Sequence, residues 1–360
     1  MQSKRIKEGS VVVTIPPIKK TVRKSDSVFY NPEMEFSRDI SVSALAVFLK
    51  NQPLKNGCDC LSATGIRGIR YSKETKLKMV LNDLNPTAFK LIKKNIKHNK
   101  LTRKCKSSNK DASLLLRENT FGFIDIDPFG SPAQFLDSAA RSIWHRGLLA
   151  ITATDTAPLS GTYPEKCLRR YGIRSIKTPF YPELGIRILI TRIILTLSRY
   201  DKAFIPILSH ATRHYFRVFG KIEHQGSISK LLKQFGYVMY CKKCGRHFTG
   251  KLKLKCKCKS DLEFTGPIYL GPIQDRNFVT QVKLDLASRK FSKWESEYKL
   301  LKTISKELQL PFYYDLHHLA KKKLIKLKKT DEIISKLKKH KHKVSRTHFC
   351  PTAIKTDKKY

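Results

Sequence analysis

Two carboxylates, Asp125 and Asp127, stand at the end of one apolar segment, where they could do chemistry. Residues 121–126 are Phe-Gly-Phe-Ile-Asp-Ile, and Asp127, Pro128 and Phe129 follow. The run predicts a strand buried in a parallel sheet, and ligand sites of open α/β sheets gather at the carboxyl ends of strands. An acid that accepts a hydrogen bond, next to a ring that can stack, suits chemistry on a planar amine. The plain alternative is a strand that ends in a type I turn, with Pro128 at its second position.

Three strand ends predicted upstream carry groups that suit a nucleoside. The loop 62–70 follows the first strand, and its small residues let a ligand approach the backbone. Asp83 ends the second strand and is placed to bind ribose hydroxyls, whereas Asp111 and Ala112 end the third and could reach an adenine amine. Each acid could instead cap a helix. The order along the chain is a loop, two acids and then Asp127, and it favours an S-adenosylmethionine-dependent methyltransferase. Neither a Gly-x-Gly-x-x-Gly nor a Gly-Lys-Ser/Thr motif is present, so a dinucleotide site and a phosphate loop are not well supported.

The elements that must position these groups alternate between strand and helix. The pattern predicts a doubly wound, Rossmann-like sheet of seven strands, closed by an antiparallel pair. The predicted strands lie at 58–61, 78–84, 104–108, 121–126, 148–154, 203–208 and 215–222. The predicted helices include 40–49, 86–98, 133–145 and 186–197, and residues 155–182 are expected to form a long polar connection.

The composition favours an acidic partner. The 360-residue chain has a formal net charge of +43 and is 41% hydrophobic, which fits a globular protein that binds a polyanion, nucleic acid before acidic membrane. A genome rich in Lys codons is the alternative source of this charge. The basic start of the chain lacks the apolar core of a signal peptide, and no stretch predicts a membrane span. We therefore expect a cytoplasmic, reducing location, no membrane contact and no obligate protein partner.

Four cysteines have the spacing of a metal site. Cys241 and Cys244 form one close pair, and Cys256 and Cys258 form another after eleven residues. Four thiolates in two close pairs suit tetrahedral, structural Zn²⁺, and the surrounding lysines favour the thiolate form. Unpaired thiols or a disulfide pair are the alternatives, and His247 could replace one thiolate.

The character of the chain changes near residue 225. Residues 1–224 are predicted to form the methyltransferase domain with its basic N-terminal segment, and 225–360 a smaller α+β domain with a zinc hairpin at 241–258. Residues 310–320 and 330–337 predict a helix-turn-helix-like module in a segment that holds eleven lysines between 321 and 343. Its aromatics, interleaved with positive charge, favour nucleic-acid contact over a merely solvated face.

Several segments together resemble one family, the tRNA guanine-26 N2-dimethyltransferases. The matching segments lie in order along nearly the whole chain, at 28–32 with Arg38-Asp39, 61–70, 125–132, 153–159, 266–272 and 345–349. The departures are small, with Thr156 where Gly is expected and Tyr269 where Trp is commoner.

The resemblance implies methyl transfer from S-adenosylmethionine to the exocyclic 2-amino group of guanine 26 of tRNA. It also implies that residues 225–360 form a tRNA-binding domain. It implies that Asp127 is the catalytic acid and that Phe29 and Phe129 wall the reacting pocket. The cofactor residues it implies are Arg38, Arg67, Asp83, Asp111 and Ala112. The spacing leaves Arg67 and Arg70 as alternative cofactor contacts.

Two other functions are compatible with the residues alone. One is an amino-methyltransferase that acts on DNA or on another RNA, because an acid, a proline and an aromatic ring at a strand end would serve adenine or cytosine as well. The other is a non-catalytic zinc-ribbon RNA-binding protein that uses the sheet only as a scaffold.

Overall fold

The described chain starts with a two-stranded hairpin whose second strand packs against two helices. The computed structural model describes residues 4–17, 28–323, 326 and 329–358. The described chain begins with two antiparallel strands, β1 (Lys4–Glu8) and β2 (Val11–Ile15), and continues with helix α1 (Glu35–Asn51). Val11, Val13 and Ile15 alternate along β2 and are fully buried, so this strand presents one face to the core.

A seven-stranded sheet positions the groups that the sequence singles out. Its strands are β3 (Asn56–Asp59), β4 (Lys78–Asn82), β5 (Cys105–Ser108), β6 (Phe121–Ile126), β7 (Ile143–Ala153), β8 (Ala203–Thr212) and β9 (Tyr215–Glu223). They lie in the order β5-β4-β3-β6-β7-β9-β8, and β9 runs antiparallel to both of its neighbours. All six residues of the central strand β6 are buried, as expected for a strand that is covered on both faces. The predicted fold class, including the closing antiparallel pair, is confirmed.

Helices connect these strands. They are α2 (Ile66–Thr75), α3 (Pro86–His98), α4 (Ala112–Glu118), α5 (Leu136–Ser142), α6 (Thr156–Leu159), α7 (Pro164–Tyr171) and α8 (Tyr181–Ser198). Helix α3 begins where predicted, because Asn85 caps it by accepting from the Thr87 amide (2.8 Å) and Pro86 occupies its first turn.

Two predictions about these connections are wrong. The helix predicted to reach residue 145 ends at Ser142, because Ile143 already pairs with Phe121 as the start of β7. The connection predicted for 155–182 instead contains α6 and α7, and Pro164 opens the latter in the position where a proline is tolerated.

The C-terminal part carries two small sheets and more helices. Its elements are α9 (Ile228–Leu232), β10 (Phe235–Tyr240), β11 (His247–Gly250), β12 (Glu263–Tyr269), α10 (Arg276–Arg289), α11 (Trp294–Lys306), β13 (Tyr314–Asp315), α12 (Leu316–Lys323), α13 (Thr330–Lys339), β14 (Val344–Arg346) and β15 (Ala353–Thr356). The first sheet has the order β11-β10-β12 and the second β13-β15-β14.

The module predicted at 310–320 and 330–337 is only partly helical. Residues 310–313 are irregular and Tyr314 lies in strand β13, so the first helix of the module starts only at Leu316. Phe312 and Tyr313 are almost completely buried, so these aromatics pack in the core and are not available to stack on nucleic acid. Residues 324, 325, 327 and 328 of the Lys-rich segment lie outside the described part of the chain.

The hydrophobic core continues across residue 225. Helix α10 packs against α1 through Val279, Val282 and Leu286, which share one cluster of buried residues with Ile40. On the other face of the sheet, Val238 belongs to the cluster that also holds strand β6. The boundary at 224/225 therefore stays a prediction. No helix in the described ranges is long and apolar enough to span a bilayer.

A buried set of ion pairs joins helix α8 to the C-terminal sheet, and we call it the C-terminal network. Its members are Glu183, Arg187, Glu307, His348 and Lys355, all with side chains at most 1% exposed. Lys355 Nζ lies 3.1 Å from Glu183 Oε1 and 3.0 Å from Glu307 Oε1, and Glu307 Oε2 lies 2.6 Å from His348 Nδ1. Arg187 also donates to the carbonyls of Tyr269 (3.2 Å) and Gly271 (2.9 Å), so segments 266–272 and 345–349 meet at this structural joint.

Candidate active site

A cavity of about 1010 Å³ opens at the carboxyl ends of the central strands. It lies where an open α/β sheet is expected to bind its ligands. Six of the predicted catalytic and cofactor residues line it together, namely Phe29, Arg38, Arg67, Asp83, Asp127 and Phe129.

The loop between β3 and α2 forms one wall of the cavity. Gly65 precedes α2 with a φ of 78°, a left-handed conformation that glycine adopts without strain. The carboxylate of Asp83 accepts hydrogen bonds from the amides of Ala63 (2.8 Å) and Asn85 (2.9 Å), so it shapes the loop as well as facing the cavity. This arrangement leaves room for a ligand between the loop and the end of β4.

Asp111 and Ala112 do not line the cavity. The Asp111 carboxylate caps α4 by accepting from the amides of Ser113 (2.8 Å) and Leu114 (3.0 Å), and Ala112 is buried. The structure thus gives Asp111 the capping role that the sequence left as its alternative, and the contact of either residue with adenine stays a prediction.

Arg38 lines the cavity, and its side chain forms an ion pair with Glu8. Its Nε and Nη2 donate to the two carboxylate oxygens of Glu8, each at 2.6 Å, whereas Nη1 makes a 3.4 Å hydrogen bond to the Asn31 carbonyl. Burial opposes the charge of Glu8, yet Arg38 and Arg70 outweigh it and lower the pKa of this carboxyl. The N-terminal hairpin, which carries Glu8, therefore fixes Arg38 beside the cavity.

The structure separates Arg67 from Arg70. Arg70 is fully buried away from the cavity and pairs with Glu8 (2.9 Å), Asp39 (2.5 Å) and Glu74 (2.9 Å). Arg67 lines the cavity and donates to Oδ2 of Asp127. Of the two arginines, only Arg67 is placed to meet a ligand.

A second buried set of ion pairs lies below the cavity, and we call it the cavity network. Its members are Arg67, Tyr71, Asp125, Asp127 and Arg217. Arg217 binds Asp125 through two hydrogen bonds of 2.7 and 2.6 Å, and Tyr71 donates to the same carboxylate. Burial disfavours the charge on Asp125, but Arg217 and then Arg67 outweigh it, so the pKa of Asp125 lies below its ordinary value.

Asp127 differs from Asp125 although it lies only two residues further along. Its side chain is 17% exposed and faces the cavity, whereas that of Asp125 is completely buried. Arg67 donates to Oδ2 of Asp127, and within the described residues Oδ1 accepts no hydrogen bond. One carboxylate oxygen can thus accept a hydrogen bond from a ligand while the other is held in place.

Two aromatic rings stand at the mouth of the cavity. Phe29 and Phe129 meet edge to face with their centroids 5.7 Å apart. Phe129 is 55% exposed, which is unusual for an aromatic side chain and leaves one ring surface free to stack on a base.

Several residues of the site were not predicted from the sequence. Arg217 and Glu8 come from distant parts of the chain, and no local pattern marks them. Asp59 ends β3 directly before the loop and lines the cavity, so its position at a strand end was a usable signal. Burial, reinforced by the charge of Asp125, raises the pKa of Asp59 to about 7.

The four predicted metal ligands come together at the end of strand β10. The sulfur atoms of Cys241, Cys244, Cys256 and Cys258 lie within 4.8 Å of one another. Two pairs are 3.5 and 3.6 Å apart, close to the roughly 3.8 Å between thiolates that surround Zn²⁺ at about 2.3 Å. Hydrogen bonds from Ser260 lower the pKa of Cys258 to about 6, whereas burial raises the pKa of Cys241 and raises that of Cys244 to about 12. The geometry of the four sulfurs therefore indicates the metal site, and a bound cation would hold them as thiolates.

His247 does not belong to this cluster. Its ring stacks on Tyr314 with centroids 4.4 Å apart and touches Phe180 edge-on, and burial lowers its pKa to about 4. The suggestion that it replaces a thiolate is therefore wrong, and it packs between the two small sheets.

Comparison with known proteins gives full-length matches. The family model for N2,N2-dimethylguanosine tRNA methyltransferase matches residues 9–360. The chain is 39% identical to the tRNA (guanine(26)-N(2))-dimethyltransferase of Thermococcus kodakarensis, with 99% of this chain and 96% of that protein covered. It is 36% identical to the corresponding protein of Methanosarcina barkeri, with coverages of 98% and 95%. A solved structure of Trm1 from Pyrococcus horikoshii with S-adenosyl-L-methionine superposes with a TM-score of 0.89 at 36% identity, covering 99% of this chain and 97% of that one.

Proposed function

The chain belongs to the N2,N2-dimethylguanosine tRNA methyltransferase family, and on this premise we propose how its cavity carries out the reaction. The protein transfers methyl groups from S-adenosylmethionine to the exocyclic 2-amino group of guanine 26 of tRNA. The observation that carries the mechanism is the position of Asp127, a half-paired carboxylate between the cofactor loop and an exposed aromatic ring.

The cofactor side of the cavity is the loop between β3 and α2. When bound there, S-adenosylmethionine supplies an electrophilic methyl group. Asp83 would hold its ribose, and Arg38 would meet its carboxylate through Nη1, the nitrogen that Glu8 leaves free. Arg67 would border the cofactor while it holds Asp127.

The guanine side is formed by Phe129, Phe29 and Asp127. A base in an RNA fold must leave its stack to enter the cavity, which costs a few kcal/mol, and stacking on the exposed ring of Phe129 offsets part of this cost. Phe29 borders the same space, because it contacts Phe129 edge to face.

Asp127 does the proton chemistry. The guanine 2-amino group is a poor nucleophile, because its lone pair is delocalised into the ring. Oδ1 of Asp127 accepts a hydrogen bond from one amine hydrogen, and the Pro128 carbonyl accepts from the other, so the nitrogen can pyramidalise towards the methyl group. As the nitrogen lone pair forms the N–C bond, the bond between the methyl carbon and sulfur breaks, its electron pair stays on sulfur, and S-adenosylhomocysteine is the leaving group. The methylated nitrogen is acidic, and its proton passes to Asp127. A second round requires the cavity to accept an amine that already carries one methyl.

Methyl transfer to matched tRNA transcripts tests this function. Transcripts with guanine or adenine at position 26 are incubated with the protein and S-adenosylmethionine carrying a labelled methyl group. We expect label only in the guanine transcript, and digestion should release N2-methyl- and N2,N2-dimethylguanosine. Equal labelling of both transcripts would show that another nucleotide is the substrate.

The cysteine cluster is proposed to hold a structural Zn²⁺. Its four sulfurs fit a closed tetrahedral site, and closed sites of this kind contribute folding energy without taking part in chemistry. We expect one zinc per chain by elemental analysis, and Cys244→Ser should lower both zinc content and melting temperature. Cys350→Ser, outside the cluster, is the matched control and should keep the metal; unchanged zinc content in Cys244→Ser would contradict the assignment.

A further inference from the structure

Not every acid of the cavity takes part in the mechanism above. The carboxylates that line the cavity belong to Glu33, Asp59, Asp83, Asp127 and Asp155. Glu33 pairs with Arg213 near the surface, Asp59 accepts from the Gly68 amide (3.0 Å) and Asp83 shapes the cofactor loop. Asp155 remains, and it lies on the side of the cavity where the base is expected.

Asp155 is fixed beside the loop that carries Phe129. It follows β7, the parallel neighbour of β6, so it leaves the sheet at the same edge as Asp127. The preceding residue, Thr154, donates its amide to the Gly130 carbonyl (3.0 Å), and its hydroxyl accepts from the Gly130 amide (2.6 Å). These two hydrogen bonds tie the end of β7 to the residue directly after Phe129.

The side chain of Asp155 is not used as a helix cap. Asp155 occupies the N-cap position of α6 but makes no capping hydrogen bond. Its Oδ1 accepts from the Tyr171 hydroxyl (2.6 Å) and its Oδ2 from Arg170 Nη1 (2.8 Å), and the side chain is 8% exposed. An ionised carboxylate offers about four acceptor positions, so two remain after these contacts.

A fixed acceptor that lines the same cavity as Asp127, at the same edge of the sheet, matches the edge of guanine. Guanine presents two neighbouring donors there, the 2-amino group and the N1–H, whereas the ring nitrogens of adenine (N1) and cytosine (N3) are acceptors. Resting on the function proposed above, we propose that Asp155 determines base specificity by accepting the N1–H of the guanine whose 2-amino group Asp127 binds. An unprotonated ring nitrogen would face the carboxylate acceptor to acceptor, and a mispaired polar group of this kind disfavours the wrong base.

A transcript with 2-aminopurine at position 26 tests this role. This base keeps the 2-amino group but has no proton on N1 and no O6. Single-turnover rates with saturating cofactor are measured for guanine and 2-aminopurine transcripts, with the native protein and with Asp155→Asn. The native protein should prefer guanine by about a hundredfold. In the variant the asparagine amide can donate to N1 of 2-aminopurine, so the preference should fall about tenfold or more.

The matched control is Tyr171→Phe, which removes the support of the carboxylate and keeps the carboxylate itself. It should lower both rates by similar factors and leave the preference intact. If Asp155→Asn also lowers both rates equally, Asp155 is only a support for Arg170 and Tyr171, and the proposal is overturned. If the variant does not fold, a native preference near one overturns the proposal and a preference near a hundredfold supports it. Failure of the native protein on the guanine transcript would instead reject the proposed function.

Discussion

The two buried ion networks both pair carboxylates with cationic side chains, but they differ in how far they reach the solvent. Every side chain of the C-terminal network is at most 1% exposed, and its carboxylates are enclosed by Arg187, His348 and Lys355. The cavity network is equally buried at Asp125 and Arg217, but its last member, Asp127, is 17% exposed and reaches the cavity. A closed network holds elements together, whereas an open one can also present a charged group to a substrate.

The buried acids inside both networks, Glu307 and Asp125, have lowered pKa values, whereas an acid next to the cavity network does not. In the C-terminal network, Glu307 is buried, yet Lys355 and His348 outweigh burial and lower its pKa to about 2. Next to the cavity network, burial raises the pKa of Asp59 to about 7, and Arg67 only partly opposes it. Where neighbouring cations fully offset the cost of burial, a buried carboxylate stays ionised and does not titrate near neutral pH. Where they offset it only in part, the carboxylate titrates in the working range.

The largest effect on stability is expected from removing a cation of the C-terminal network. Lys355→Met leaves two buried carboxylates with one cation fewer between them, which should lower the free energy of unfolding by about 3–5 kcal/mol. Urea denaturation measures this, and methyl transfer by the folded fraction should not change. Lys302→Met, at an exposed position of α11, is the control, with an expected change below about 0.5 kcal/mol. If both variants lose a similar amount of unfolding free energy, the buried ion pairs of Lys355 have no special role in stability.

A change in the open network should act more on activity than on stability. Arg67→Gln removes the cation that holds Asp127, whereas Asp125 keeps its pair with Arg217. We expect the single-turnover rate to fall about 10–100-fold, with a loss of unfolding free energy of about 1–3 kcal/mol. The contrary result would be that Arg67→Gln loses as much unfolding free energy as Lys355→Met while its folded fraction keeps the native single-turnover rate. Both networks would then serve only stability.

The smallest effect is expected from Asp59 and depends on pH. The pKa of this carboxyl is higher in the folded protein than in the unfolded chain, so its favourable contribution is complete below about pH 4 and is lost as the pH rises through about 7. Asp59→Asn removes the buried charge and should stabilise the ligand-free protein by on the order of 1 kcal/mol at pH 8, but not at pH 5. Melting curves at the two pH values check this, and equal curves at pH 8 would contradict it.

Groups next to strand ends could be predicted from the sequence. Most of the seven strands follow from apolar runs, whereas β5 (Cys105–Ser108) is polar and follows from the alternation of strand and helix. Asp83 and Asp127 follow from their place at the ends of two apolar runs. The cysteine cluster follows from spacing alone, because its two pairs lie close in the chain.

What could not be predicted depends on contacts between distant residues. Arg217 reaches Asp125 from 92 positions away, and Arg38 reaches Glu8 from 30. The return of α10 to α1 buries residues that look, in the sequence, like those of a separate domain. The aromatics at 312–314 point to nucleic acid by composition, but tertiary packing buries them.

The central claim is that Asp127 handles the 2-amino group of guanine, and single-turnover methyl transfer tests it most directly. Asp127→Ala is compared with the native protein and with Asp137→Ala, an acid on the surface that pairs with Arg199 outside the cavity. With guanine-26 transcript and saturating S-adenosylmethionine, Asp127→Ala should be slower by about a hundredfold or more, and Asp137→Ala should match the native rate. If Asp127→Ala keeps more than about a tenth of the native rate, the hundredfold effect of a proton-accepting group is missing and another residue must serve the amine.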